Sequence, residues 1–592
     1  MPSYGRTSTV RSHRRGGQRR RFPVLPVVIA IVVLALIGGG LTAGYNYFLK
    51  DRCSGSASAT VVVAPRIESI MAKLSQDWAQ TSPNVGGACG SVQIVSKESP
   101  DMAAALAGTD WDTKNEGPAP DVWVPDSSAW VKKASVDADA ERIIPDLQPS
   151  LARTPTVIAM PRPLAEAAGM ASAPLTWQKI VQKLSVPSGW QAYSHPEWGT
   201  FKIGLSDPQL STAGLLALMA ISDTDDDGEV SPEEQDALLT LKKVIGVKTT
   251  STEQIFDGIR DASDSDPAKA LTYVSAFPAL EQDVLAYNLT HPKVPLVAIY
   301  PQDGTAEADF PYLILGTAKW TTPKRADVAA AFLRYARGSA GRTAFQAAGF
   351  RDGNRVPGPT MTAANGVAEK ITALPRAILL PESVQHAAAS WTAVTRPTNL
   401  LLVFDTSGSM DGPVPGTGKT RLDLTKAAAT DALGLFDDSA QVGVWEFSTA
   451  NNGKDFRKLN AIGPLSKNRD QVLKSIGNLK AGGNTGLYNT TWAACQEVAA
   501  NYLPGATNLV VLLTDGADDN NVAGGLTLPQ LVTNLQTTCG DPAKPIKVIT
   551  VGLGRQTNSD ILRQISAATK AQTFASPTTF DVSQVVLSAL FN

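Results

Sequence analysis

The sequence predicts an α/β chain held at a membrane by one N-terminal helix. Three observations carry this reading. Residues 22–49 form an uncharged apolar stretch. From 61 to about 381, short apolar runs alternate with amphipathic ones. Beyond 399, two apolar strands end in oxygen-rich loops. Alternating β and α segments favour a mostly parallel sheet covered by helices.

The first 21 residues hold seven arginines and no acidic residue. The next span, FPVLPVVIAIVVLALIGGGLTAGYNYFL, exceeds the roughly 20 apolar residues that cross a bilayer. Pro23 and Pro26 suit its entry turn, and Lys50, Asp51 and Arg52 close it. Arginines on the N-terminal side place residues 1–21 in the cytoplasm and everything after 49 outside. The expected localisation is the cell membrane, single-pass, with the bulk of the chain extracellular. The alternative is a cleaved signal peptide, which has a shorter apolar core and a small-residue cleavage site.

Of 592 residues, 43% are hydrophobic and 18% charged, enough for large packed cores and too apolar for a disordered chain. Subtracting the seven tail arginines from 53 basic residues leaves 46 against 55 acidic ones. Such a body has no basic footprint for nucleic acid, and none is expected as a partner. The four histidines are His13, His195, His291 and His386, so the last domain has no His-based catalysis or His-ligated metal. No G-x-S-x-G, P-loop, H-E-x-x-H or paired zinc motif occurs, and no enzyme is expected.

Four cysteines allow three pairings. Thiols outside the cell tend to oxidise, and the local pairs Cys53–Cys89 and Cys495–Cys539 are expected. Free buried thiols are the alternative.

After a short Ser/Ala/Gly linker, the runs VVVA (61–64), SVQIV (91–95), DVWVP (121–125), TVIAM (156–160), FKIGL (201–205) and PLVAIYP (295–301) read as strands. IESIMAKLSQDWAQ (67–80), TWQKIVQKL (176–184) and ADVAAAFLRYARG (326–338) have helical spacing. The elements APDVWVPDSSAW (119–130), TPTVIAMP (154–161), GLSDPQLSTAGLLAL (204–218), VPLVAIYPQDGT (294–305) and the tail 326–351 together resemble the extracellular solute-binding proteins of the type II periplasmic-binding fold. The resemblance implies two α/β lobes, crossed twice by the chain, with a small-molecule ligand in the cleft between them. Hydroxyls near strand ends and helix starts are the candidate ligand contacts: Ser96, Ser127, Ser128, Ser211 and Thr212. A Ser or Thr before a helix also serves as an ordinary N-cap.

Residues 223–234 read DTDDDGEVSPEE. Asp223, Asp225, Asp227 and Ser231 stand at positions 1, 3, 5 and 9 of a twelve-residue loop, with Gly228 at the sharp turn, the Glu229 carbonyl at 7 and Glu234 at 12. The spacing matches an EF-hand loop for Ca²⁺. Gln235 departs from the usual apolar residue, and no second EF-hand pairs with it. A solvated acidic helix–helix connection is the other reading.

NLLLVFDTSGSM (399–410), GGNTGLY (482–488) and NLVVLLTDGADD (508–519) resemble the three metal-site loops of von Willebrand factor A domains. This implies a Rossmann-like open sheet over 399–592, with Ser407, Ser409 and Thr485 ligating Mg²⁺ or Mn²⁺ and Asp405 and Asp515 bound directly or through water. Asn484 is a substitute for Thr485. Hard oxygen donors suit these ions.

The expected organisation is therefore an Arg-rich tail (1–21), a transmembrane helix (22–49), a linker (50–60), a solute-binding-like domain (61–385), a second linker (386–398) and the metal-site domain. The expected function is a cell-surface binding protein that holds an extracellular protein or glycan through the metal, coupled to a small-ligand-binding domain. The alternative is the substrate-binding component of an ABC-type importer, with a membrane permease as partner.

Overall fold

The computed structural model describes residues 53–576 apart from 108–109, 171–174, 224–226, 228–230, 374, 377–379, 435, 452–453, 516–524 and 554–558. The tail, the expected membrane span and the C-terminal segment FDVSQVVLSALFN (580–592), which the sequence predicts as a closing helix, lie outside the described residues. Among the described residues no helix is long and apolar enough to cross a membrane.

Lobe one is built on β1 (Ser56–Val63), which runs parallel to β2 (Ala88–Ser96) and β3 (Val122–Val124). Val61, Val62 and Val63 are all buried, as expected for a central strand covered on both faces. Helix α1 (Glu68–Gln80) turns Met71, Leu74 and Trp78 into this core, and α2 (Ser99–Leu106) follows β2. The expected linker over 50–60 is shorter than predicted, because β1 already begins at Ser56. Small alternating residues there fit a pleated strand.

Lobe two comprises β4 (Ala152–Pro161), β5 (Ile203–Ser206), β6 (Ile245–Thr249), β7 (Phe277–Leu280), β8 (Leu296–Ile299) and β9 (Thr305–Ala308). β5 and β6 are parallel, but β7, β8 and β9 all pair antiparallel to β4. The mostly parallel sheet expected from the sequence therefore does not describe this lobe. β4 brings the chain in, and β9 carries it back out alongside.

The chain then re-enters lobe one, where β10 (Leu313–Ile314) pairs with β3. A third crossing returns it to lobe two, through Arg351–Asp352 against β4 and Pro375–Arg376 against β9. Two crossings were expected; the third uses two-residue strands, too short to leave a hydrophobic pattern.

Three further helices matter for function. All residues of α3 (Thr212–Ser222) are buried, and α4 (Pro232–Val244) follows the acidic loop. α5 (Thr252–Ser265) begins after β6. The linker expected over 386–398 is largely helix α6 (Pro381–Thr395), whose Val384, Ala387 and Trp391 join the core of the solute-binding domain. Its Ala-rich run carries only a few large apolar residues, and the three that pack decide its fate.

The last domain is a sheet in the order β13-β12-β11-β14-β15-β16, with β11 (Thr398–Asp405), β12 (Gln441–Asn451), β13 (Lys454–Pro464), β14 (Thr507–Thr514), β15 (Lys547–Leu553) and β16 (Thr573–Ser576). Only β13 is antiparallel, at one edge. Leu400, Leu402 and Phe404 enter one apolar cluster and Leu401 and Val403 the other, so β11 is buried on both faces. Helices α7 (Arg421–Leu433), α8 (Leu487–Ala500), α9 (Leu528–Thr538) and α10 (Ser559–Ala567) cover the sheet.

Both expected disulfides are present. Cys53–Cys89 fastens the start of the described chain to β2, and Cys495–Cys539 joins α8 to the end of α9.

Candidate functional site

In open α/β sheets, ligand sites form beyond the carboxyl ends of the strands. Asp405 is the last residue of β11 and Thr514 the last of β14. The register sets Phe404 against Leu513, which leaves Asp405 and Thr514 side by side at the sheet edge. Thr514 Oγ1 donates to Asp405 Oδ2 at 2.6 Å, and the Ser407 N–H donates to Asp405 Oδ1 at 2.8 Å. Ser407 and Ser409 share a hydrogen bond at 3.0 Å, and Ser409 Oγ donates to Asp515 Oδ1 at 2.9 Å. Asp405, Ser407, Ser409 and Asp515 thus form one continuous oxygen cluster.

The Thr485 loop is fastened alongside. Gly408 N–H donates to the Gly483 carbonyl at 2.9 Å, and Gly482 N–H to the Thr406 carbonyl at 2.8 Å. Gly483 turns the loop at φ +83°, a backbone state that favours glycine. Thr485 is buried beside this junction, whereas Asn484 is exposed. The Asn484 N–H and carbonyl are tied to Thr449.

Burial pushes the Asp405 carboxyl up to about 6, and the nearby Asp515 charge adds to the rise. An oxygen-only set of two carboxylates and three hydroxyls fits a hard divalent cation, which would supply the missing positive charge. No cluster of three or more His, Cys, Asp or Glu side chains with metal-binding geometry occurs among the described residues. The hydroxyls would supply the remaining oxygen donors of such a site. One neighbour went unnoticed in the sequence: Arg421, first residue of α7, reaches Asp515 Oδ2 at 2.8 Å and the Ser409 carbonyl at 3.0 Å.

The second candidate site is a cavity of about 460 Å³ between the lobes. Lobe one contributes the residues just past β1, β2 and β3, among them Arg66, Glu98 and Asp126; lobe two contributes the starts of α3 and α5. Of the five hydroxyl residues proposed from sequence, Ser211 and Thr212 line it. Ser211 caps α3 and bonds Ser206 Oγ at 2.8 Å and Thr252 Oγ1 at 3.1 Å. Thr212 Oγ1 donates to Asp126 Oδ2 at 3.2 Å and accepts from Trp130 Nε1 at 2.8 Å, bridging the lobes.

Ser96, Ser127 and Ser128 do not line the cavity. Ser127 caps a short helix and donates to the Glu307 carbonyl, while Ser128 Oγ is spent on Asp309 at 2.6 Å. Ser96 is an exposed strand end. The ordinary capping role thus accounts for Ser127, and neither Ser96 nor Ser128 contacts the cleft. The polar run Ser-Lys-Glu-Ser (96–99) after a strand does reach the cavity, through Glu98 rather than Ser96; Arg66, Asp101 and the run 250–253 were missed from the sequence. A polar turn immediately after a buried strand was the available signal, as in VVVAPR.

In the acidic loop, Asp225 and Glu229 lie outside the described residues. Asp223 is buried at the end of α3 and Asp227 is exposed. Glu234 Oε2 accepts from the Ser231 N–H at 2.9 Å and from Ser231 Oγ at 3.0 Å, a capping box at the start of α4.

Fold and sites together define a chain of two α/β domains, each with a candidate site at its strand ends. Residues 59–351 match the bacterial extracellular solute-binding protein family, and residues 399–588 match the von Willebrand factor type A domain. The chain carries a solute-binding domain followed by a von Willebrand factor type A domain. It is 22% identical over 561 residues to "Uncharacterized protein Rv1836c" of Mycobacterium tuberculosis, covering 92% of this chain and 79% of that one. Among solved structures it is similar to a periplasmic thiamin binding protein, at 12% identity over 58% of this chain and 98% of that one, with a TM-score of 0.36. It is also similar to a von Willebrand factor type A protein from Catenulispora acidiphila, at 20% identity over 33% of this chain and 42% of that one, with a TM-score of 0.27.

Proposed function

We propose that the chain is a non-enzymatic binding protein displayed outside the cell membrane by the apolar span 22–49. Its type A domain captures an extracellular protein or glycan through a divalent cation. Asp405, Ser407, Ser409, Thr485 and Asp515 would hold Mg²⁺ or Mn²⁺. The bound ion would supply an electrophilic position for a carboxylate of the partner. The observation that carries this reading is the hydrogen-bonded cluster of Asp405, Ser407, Ser409 and Asp515 at the strand ends.

The two-lobed domain is read as holding a small ligand coupled to the adhesion site. Helix α3 starts at the cleft and ends at the acidic loop, and α4 leaves that loop. Leu239 of α4 is buried in the same apolar cluster as Leu433 and Phe436 of the type A domain. Lys242 of α4 feels the charge of Asp437. Any shift of α3 on ligand binding is thereby passed to the end of α7, whose first residue touches Asp515. We read loop 223–234 as a Ca²⁺ staple at this elbow.

Pull-down from cell envelope with the full chain tests the reading. Capture in Mg²⁺ that is lost in EDTA and in folded Asp405→Ala supports it; equal capture in all three contradicts it. Protease on intact cells should remove the bulk of the chain. A second reading, the binding component of an ABC-type importer, is favoured by the interlobe cavity alone; it leaves the buried Leu239 contact and the oxygen cluster without a role.

A further inference from the structure

The charge around the interlobe cavity is one-sided. Glu98, Asp101, Asp126 and Glu253 line it, and Arg66 is the sole cationic side chain among its lining residues. Arg66 is largely engaged, its two terminal nitrogens bonded to side chains while its buried Nε has no hydrogen-bond partner among the described residues. It pairs with Asp283, with Glu253 at 3.3 Å and with Asp126 at 3.8 Å, and it bonds Gln282 at 3.3 Å. Asp283, Glu253 and Gln282 belong to lobe two, so the guanidinium acts as a clasp between the lobes. An anionic ligand would have to compete with three carboxylates for it.

Helix starts at α2, α3 and α5 face the cavity, and helix N-termini by themselves favour an anion. Here the chain supplies its own negative charge at two of them. Glu98 is the N-cap residue of α2, with Asp101 in its first turn, and Glu253 stands in the first turn of α5. The Glu98 and Asp101 side chains make no hydrogen bond or ion pair with the described residues. The Glu98 side chain is exposed to the cleft, where desolvation by the cavity walls and the charges of Asp126, Asp101 and Glu253 hold its carboxyl above the ordinary range. These are the groups a positive ligand would relieve.

Resting on the reading of the cleft as a solute site, we propose that its ligand is a small organic cation bearing an ammonium or guanidinium group. Glu98 and Asp101 take the charge, and the hydroxyl wall of Ser211, Thr212, Thr250, Ser251 and Thr252 meets its polar N–H groups. Among the described residues no aromatic side chain lines the cavity. A quaternary ammonium, which is held chiefly by aromatic faces, is the poorer fit.

Calorimetry on the detergent-solubilised full chain, free of divalent metal, tests this with agmatine and spermidine as cations, sulfate and citrate as anions, and glucose as a neutral probe. Agmatine or spermidine should bind, and binding should weaken at least tenfold in Glu98→Gln/Asp101→Asn. Both residues are solvent-exposed, so the variant should fold, and circular dichroism verifies it. Raising NaCl from 0.05 to 0.5 M should also weaken binding. Cation binding unchanged within twofold in the double variant overturns the proposal. Selective binding of an anion or of glucose overturns the charge assignment and leaves the cleft reading standing. No binding of any probe at millimolar concentration overturns both.

Discussion

Arg421 Nη1 lies 2.8 Å from Asp515 Oδ2, on the carboxylate whose other oxygen accepts from Ser409. A fixed positive charge therefore borders the oxygen cluster that would hold a divalent cation. Two effects compete: repulsion of the ion and positioning of Asp515. Ser409 also holds Asp515, so repulsion should win. Arg421→Gln should tighten Mn²⁺ binding by about three- to tenfold at low salt, and the gain should shrink at 0.5 M salt. Titration of Mn²⁺ by electron paramagnetic resonance measures it. Weaker Mn²⁺ binding in the variant would make Arg421 a positioning residue.

Leu239 is buried among type A domain residues although it belongs to the solute-binding domain. Leu239→Ala should cost about 2–5 kcal/mol of contact energy between the domains. Scanning calorimetry should show the two domains melting further apart than in the wild type. Unchanged transitions would mean that the contact carries no coupling.

Arg351 and Glu281 form an ion pair at 2.8 Å that is almost wholly buried, and Tyr300 donates to the same carboxylate at 2.5 Å. Removing one partner of such a pair strands the other charge, at a cost of about 3–5 kcal/mol. Arg351→Met should destabilise the solute-binding domain by that order. Arg351→Met/Glu281→Leu should recover much of the loss. Urea unfolding of the two variants checks both statements.

The disulfide Cys495–Cys539 spans 44 residues. Its removal by Cys495→Ala/Cys539→Ala should lower stability by about 2–4 kcal/mol, mostly by freeing the unfolded chain. The melting temperature of the type A domain should fall, and that of the solute-binding domain should stay within a degree or two.

Two of the metal-site loops, those of Asp405 and Asp515, are readable in the sequence because each comes after a strand buried on both faces, and such strands write continuous apolar runs such as NLLLVF. The end of the run marks the end of the strand, and D-T-S-G-S is conspicuous there. The Thr485 loop instead follows the helix Leu465–Gly477 and is legible only through its own G-G-N-T-G run. Arg421 is not readable. It stands twelve residues after Ser409, where a charged residue opening a helix looks like ordinary surface. The cleft is only half legible for the same reason: Ser211 and Thr212 announce a helix start, but Arg66 and Glu253 are brought to one cavity from distant parts of the sequence by the packing of the lobes. The helix at Pro381–Thr395 reads as linker because it becomes a core element only once α3 is there to receive it.

The central claim is a divalent cation held by the strand-end cluster. Its most direct test is the number of Mn²⁺ ions bound per full chain, counted by electron paramagnetic resonance in the wild type and in Asp405→Asn. Circular dichroism verifies that both are folded. The account expects one Mn²⁺ fewer per chain in the variant, whatever the acidic loop binds. Equal stoichiometry and affinity in the two proteins would contradict it.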